Sequence, residues 1–200
     1  AGKSTTINEI IGLLTPYGGQ IAIDGLTIQQ DSASYRQKIG YIPETPSLYE
    51  ELTLREHLET VLMAYGLDVT EGMARADKYL KLFRLDEKLD WFPTQFSKGM
   101  KQKVMIICAY AVDPSLYIVD EPFLGLDPVA IADLIQLLAD EKAKGKSILM
   151  STHVLDSAEK MCDGFVILHK GQVRAQGTLD ELRLTFGDEQ ASLNDIYMTL

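Results

Sequence analysis

The stretch Leu116-Tyr117-Ile118-Val119-Asp120-Glu121 constrains this chain most, because four consecutive apolar residues run directly into two adjacent carboxylates. A short unbroken apolar run reads as a strand covered on both faces, as in a parallel sheet flanked by helices. Such a strand delivers both acids to the carboxyl edge of the sheet, where ligands of open α/β sheets bind. Asp120 is placed there to hold Mg2+ through its waters, and Glu121 to polarise a water for in-line attack on a terminal phosphate. The residues alone also allow a plain acidic strand-to-loop turn.

The rest of the chain alternates in the same sense. Ser4 to Leu14 carries Ile7, Ile10, Ile11 and Leu14 at helical spacing and stops before Pro16 and Gly18-Gly19. Gln20 to Gln29 reads as a hairpin around Asp24-Gly25, and Ile39 to Ile42 as a strand ended by Pro43. From Glu44 to Phe96 the character is helical. Thr53-Leu54-Arg55-Glu56 is a capping box that opens a helix with Leu58, Val61, Leu62 and Tyr65 on one face, and Ala74 to Leu82 supplies another. Ser97-Lys98-Gly99 opens a further helical run, Met100 to Val112. Strand signals return at Leu116 to Val119, Ser147 to Met150, Phe165 to Leu168 and Val173 to Ala175. They are separated by helical patterns at Val129 to Lys144 and Val154 to Met161. Asp127-Pro128 and Thr178-Leu179-Asp180-Glu181 are helix starts. The fold class is therefore α/β, a mostly parallel sheet with flanking helices and an inserted helical subdomain.

Two segments could receive an anion. The chain begins Ala1-Gly2-Lys3-Ser4-Thr5, which reads either as the end of a phosphate loop or as a small-residue helix start. In a phosphate loop, backbone N–H groups wrap the phosphates, the lysine reaches the β/γ-phosphates and the hydroxyl reaches Mg2+. Ser97-Lys98-Gly99 offers backbone N–H groups and a hydroxyl at a second helix N-terminus, where an ordinary N-cap would look the same.

Composition narrows the partners. With 19 Lys+Arg against 29 Asp+Glu the formal charge is −10, which gives no long-range attraction to nucleic acid or an anionic membrane face. Two cysteines, Cys108 and Cys162, make no disulfide framework and fit a reducing cytoplasm. No signal-peptide pattern opens the chain, and its longest apolar run, Val104 to Val112, falls far short of the roughly 20 residues that span a bilayer. Any membrane role is expected to be peripheral, at the inner face of the cell membrane.

The order of motifs resembles the ATP-binding subunit of ABC transporters over essentially the whole chain. Ala1 to Thr5 resembles the end of Walker A, Phe96 to Met100 the signature motif and Leu116 to Pro122 Walker B. Leu124 to Asp127 resembles the D-loop, and Ser151-Thr152-His153 the switch-histidine loop. The stretches Tyr41 to Tyr49, Trp91 to Lys103 and Asp120 to Pro128 are most similar to the bacterial Ecs type. The resemblance implies a P-loop ATPase core at residues 1–43 and 114–200, with a helical signature subdomain at 44–113. It implies ATP and Mg2+ as cofactors. Catalysis would fall to Glu121 and His153; nucleotide contacts to Gly2, Lys3, Ser4, Thr5, Glu44, Ser97, Lys98, Gly99 and Asp127; and Mg2+ ligation to Ser4, Glu44 and Asp120. Two such domains pair head to tail in this family, one protomer's Walker A against the other's signature, and drive separate transmembrane subunits, with no nucleic acid. The surface from Glu44 to Tyr65 is the expected docking site, with Leu48, Tyr49, Leu52 and Leu54 either docking or core residues. The resemblance also implies residues before Ala1, including a strand leading into the phosphate loop, so that residues 1–200 alone are expected to bind ATP weakly and hydrolyse little or none.

Several residues depart from the family pattern. Glu44 stands where Gln is usual, Lys98 where Gly is usual, Met100 where Gln is usual, and Gly125 where Ala is common. His57 and His169 match no motif and are expected to be solvated. The alternatives are a non-transporter ABC ATPase, such as a translation factor or chromosome-maintenance protein, and a regulatory module in which Glu44 and Lys98 have weakened hydrolysis.

Overall fold

Three parallel strands in the order β3-β4-β5 form the centre of the molecule, a computed structural model that describes residues 2–199. Ala1, which belongs to the expected end of the phosphate loop, lies outside them. The elements are α1 (Lys3–Ile10), β1 (Ala22–Ile23), β2 (Leu26–Thr27), α2 (Ser32–Gln37), β3 (Ile39–Ile42), α3 (Leu54–Ala64), α4 (Val69–Leu82) and α5 (Lys98–Ala111). They continue with β4 (Leu116–Asp120), α6 (Pro128–Ala143), β5 (Ser147–Ser151), α7 (Leu155–Met161), β6 (Phe165–His169), β7 (Gln172–Gly177), α8 (Leu179–Phe186) and α9 (Leu193–Met198). The apolar run singled out in the sequence is β4, the middle strand, with Ile118 and Val119 fully buried between layers.

The register decides what meets at the carboxyl edge. Ile42 lies opposite Val119, and Asp120 lies opposite Ser151. The segments that follow β3, β4 and β5 therefore leave the sheet side by side.

The helical stretch forms as its caps and apolar spacing require. The Thr53 backbone N–H donates to Glu56 Oε2 at 2.8 Å while Thr53 Oγ1 accepts from the Glu56 N–H at 3.3 Å. This fixes the start of α3, whose Leu54, Leu58 and Leu62 are fully buried. They share one core with α4, α5 and the sheet. Tyr65 lies just past the helix end, where its hydroxyl donates to the Ile39 carbonyl at 2.7 Å and burial pushes its pKa up to about 12.

Several expectations are corrected. The first helix ends at Ile10 rather than Leu14, because Gly12 turns the chain at φ +78° and the Tyr35 hydroxyl takes the Ile10 carbonyl at 2.6 Å. The last two strands, β6 and β7, pair antiparallel with each other rather than extending the parallel sheet. Lys170-Gly171 joins them with both residues at positive φ, the geometry of a two-residue hairpin turn. The short helices α2 and α9 carry too little apolar periodicity to be read in advance. Both are fixed by their N-caps, Asp31 and Ser192. Of the expected docking residues, Leu54 is core, Leu48 and Leu52 are half-buried and Tyr49 is exposed. No helix among the described residues is long and apolar enough to cross a membrane.

His57 is buried at 4% exposure rather than solvated, because it shares the inward side of α3 with Leu54 and Leu58 and packs against the Tyr49 ring. Its Nδ1 meets no partner among the described residues, and burial holds its pKa below the ordinary histidine value of 6.5. The unfolded chain therefore binds the proton more readily. Stability from this group is complete above pH 6.5 and declines as the pH falls toward the folded-state pKa. Melting temperatures below pH 6.5 should fall less steeply in His57→Leu than in the wild type. Equal slopes would show that burial does not lower the His57 pKa in the folded state.

Candidate functional site

The first residues of α1 supply one wall of the site. Gly2 is its N-cap at φ +116°, a left-handed conformation that favours glycine, and its carbonyl accepts from Thr6 N at 3.0 Å. Lys3, Ser4 and Thr5 are exposed on the first turn, where free N–H groups and the helix dipole favour an anion. Because α1 packs against β4, this turn faces the acids at the strand end.

The Lys3 ammonium lies 3.6 Å from Glu121 Oε1. The other carboxylate oxygen, Oε2, accepts from the His153 backbone N–H at 3.3 Å and lies 2.8 Å from His153 Nδ1. An ionised carboxylate only accepts, so this contact selects the histidine tautomer with its hydrogen on Nδ1. Glu121 sits one residue past β4 at φ +46° and donates its N–H to the Ser151 carbonyl at 3.0 Å. That backbone costs about 1–2 kcal/mol for a side chain with a Cβ. The bend turns Glu121 across the end of β5 instead of letting it continue the strand.

Asp120 is 6% exposed and accepts a hydrogen bond on Oδ1 from the Ser151 hydroxyl. Ser151 thus holds the carboxylate from the neighbouring strand, a role the sequence did not assign to it. Glu44 is exposed two residues beyond β3 and makes no side-chain hydrogen bond among the described residues. It nevertheless borders the same edge: burial raises the Tyr41 pKa, and the Asp120 and Glu44 carboxylates raise it further. No cluster of three or more metal-ligating side chains occurs among the described residues. Mg2+ usually takes one or two carboxylates, waters and substrate phosphates, and the donor chemistry of Ser4, Asp120 and Glu44 fits that demand.

The remaining candidates form a second group. Ser97 Oγ caps α5 by accepting from Met100 N at 3.2 Å, which leaves the N–H groups of the first turn directed outward. The aliphatic stem of Lys98 lies over Gly125, which has φ +81°. A Cβ on Gly99 would stand 2.6 Å from the Gly125 carbonyl oxygen, so the two backbones are in direct contact. Asp127 caps α6 through Ala130 N at 2.9 Å and pairs with Lys103 Nζ at 2.8 Å. The Lys103 hydrogen bond, helped by the cap, holds the Asp127 pKa down to about 2. The motifs assigned Lys103 no role of its own, although its place on the same helix face as Gly99 was a signal. Among the described residues, no hydrogen bond or ion pair joins this group to the Lys3–Glu121–His153 group.

A helix N-terminus bearing Lys3, two acids ending the adjoining strand and a histidine after the next one define a phosphate-binding α/β domain of P-loop type. Known proteins narrow the class. A family model described as ABC transporter matches residues 1–124. The ABC-type transporter ATP-binding protein EcsA of Bacillus subtilis is 56% identical over 200 residues, which are 100% of this chain and 81% of that protein. A solved ATP-binding subunit of an ABC transporter superposes with a TM-score of 0.95 at 55% identity, covering 99% of this chain and 82% of that one. A dimeric ATP-binding cassette in a post-hydrolysis state, bound to ADP and Pi, superposes with a TM-score of 0.77 at 27% identity, covering 88% and 80% respectively. The chain belongs to the ABC transporter family, as an ATP-binding subunit.

Proposed function

We propose that this chain binds and hydrolyses Mg-ATP at the Lys3–Asp120–Glu121–His153 edge and drives membrane subunits from the cytoplasmic side as one of a head-to-tail pair. The observation that carries this reading is the chain of contacts from Lys3 through Glu121 to His153, beside the buried Asp120. On ATP binding, Lys3 exchanges its Glu121 contact for the β/γ-phosphates, assisted by the N–H groups of Gly2 to Thr5. Glu121, released from Lys3, accepts the proton of an attacking water, and His153 holds the γ-phosphate side. Bound Mg2+ neutralises phosphate charge; Ser4, Asp120 and Glu44 are the residues that would hold it. Ser97, Lys98, Gly99 and Asp127 serve the nucleotide of the second copy, consistent with their separation from the first group within one chain. A single copy then hydrolyses poorly, because half of the stabilising donors come from its partner.

The test uses the full-length subunit with its co-purified membrane partner. ATP at about 100 times Kd stabilises a binding-competent domain by about 2.7 kcal/mol. That stabilisation should disappear in Lys3→Ala, together with Mg-dependent ATPase activity. Unchanged stabilisation in Lys3→Ala would overturn the site, and sedimentation with ribosomes instead of a multi-span membrane protein would overturn the transport reading.

A further inference from the structure

Gln102 is a polar residue that the core does not require. It lies on α5, one turn past Gly99, and is 1% exposed. Its Nε2 donates to the Pro43 carbonyl at 2.9 Å, bridging residues 59 positions apart, while its Oε1 meets no donor among the described residues. A buried amide with only half of its capacity met adds little net stability, because one hydrogen bond is offset by an uncompensated acceptor.

The acceptor it chooses is informative. The Pro43 carbonyl and the Glu44 N–H belong to one planar peptide unit, so fixing that carbonyl orients the backbone leading into Glu44. Proline also fixes its own φ, which leaves that peptide plane few other freedoms. On the same helix, Lys103 pairs with Asp127 at 2.8 Å and Gly99 abuts the Gly125 carbonyl. Helix α5 therefore grips the Glu44 segment through Gln102 and the segment at 125–127 through its neighbours.

We propose that Gln102 is a positioning residue for ATP hydrolysis. Its buried amide ties the peptide entering Glu44 to the helix that presents Ser97 to Gly99, so that the metal-side carboxylate and the surface offered to the partner's nucleotide move together. This rests on the proposed role of Glu44. Lys3 and the α1 N-terminus are untouched by the tie, so its loss changes turnover and leaves nucleotide affinity intact.

The experiment measures kcat and KM for ATP in the full-length subunit within its transporter complex. Gln102→Met keeps the volume and removes the donor; Gln102→Asn keeps the amide but falls short of Pro43, and provides the same test if the first variant folds poorly. Both should lower kcat about five- to tenfold with KM unchanged. Gln102→His, which retains a ring N–H donor, should recover kcat to within about twofold of wild type. In a Glu44→Ala background, Gln102→Met should cause no further loss beyond about twofold. A wild-type kcat in both Met and Asn variants, a rise in KM in step with a lower melting temperature, or a full additional loss on Glu44→Ala would overturn the proposal. A wild-type kcat for Glu44→Ala would instead remove the role of Glu44 itself, and the Gln102 proposal with it.

Discussion

Replacing Glu121 with Gln is expected to lower ATP turnover by about 10²- to 10⁴-fold while ATP still binds. The amide is close in volume to the carboxylate and can still accept from the His153 N–H, now 3.3 Å from Oε2, so the local fold survives. The amide cannot take a proton from water, and it no longer balances the Lys3 ammonium that stands 3.6 Å from Oε1. Lys3 is thereby freed for phosphate, and the variant should accumulate as an ATP-bound pair. Size-exclusion chromatography with Mg-ATP, together with steady-state hydrolysis, checks both halves. Undiminished turnover would remove Glu121 as the base. Turnover lost without an ATP-bound pair would point to collapse of the bend at φ +46°.

The second large effect is expected at Gly99. A methyl group there would stand 2.6 Å from the Gly125 carbonyl oxygen, and the atom it meets is backbone. Within the first turn of a helix, Gly→Ala otherwise favours folding by up to about 1 kcal/mol. Thermal stability of Gly99→Ala should therefore change little, while α5 and the 125–127 segment are forced apart. A displacement of about 1 Å between groups that must meet one nucleotide costs about 10²-fold in rate, and kcat should fall by that amount. Gly125→Ala provides the comparison. Its methyl would make only ordinary contacts near 3.7 Å with the flexible Lys98 stem, so its cost arises from φ +81° and should appear as lost stability. Melting curves and kcat measured for both variants separate the two mechanisms. A normal kcat in Gly99→Ala would show that the contact is incidental.

The left-handed backbone at Gly125 gives a physical account of one departure from the family pattern. An alanine there would be strained by its φ of +81°, whereas the Lys98 stem beside it would make only ordinary contact with the added methyl. The structure offers no comparable explanation for Met100.

The sequence by itself determined the elements in which a local cap or an unbroken apolar run coincides with clear periodicity. The capping boxes at Thr53 and Thr178 formed where side chains three residues apart required them, and the cap at Ser97 formed on the backbone N–H three residues on. The unbroken run before Asp120 became the central strand, because only a doubly covered position accepts four consecutive apolar residues. The candidate acids, Lys3 and His153 were legible as motifs. What only the tertiary structure decided were relations between distant segments. The parallel register placed Ser151 beside Asp120, and the bend after β4 carried Glu121 to Lys3 and His153. Burial on the inner side of α3 set the state of His57, and packing of α5 against the sheet brought Gln102 to Pro43. Periodicity and capping act over a few residues and leave a signature in order and spacing. Register, burial and side-chain contacts arise only when segments far apart in the chain share one core, and no local pattern records them.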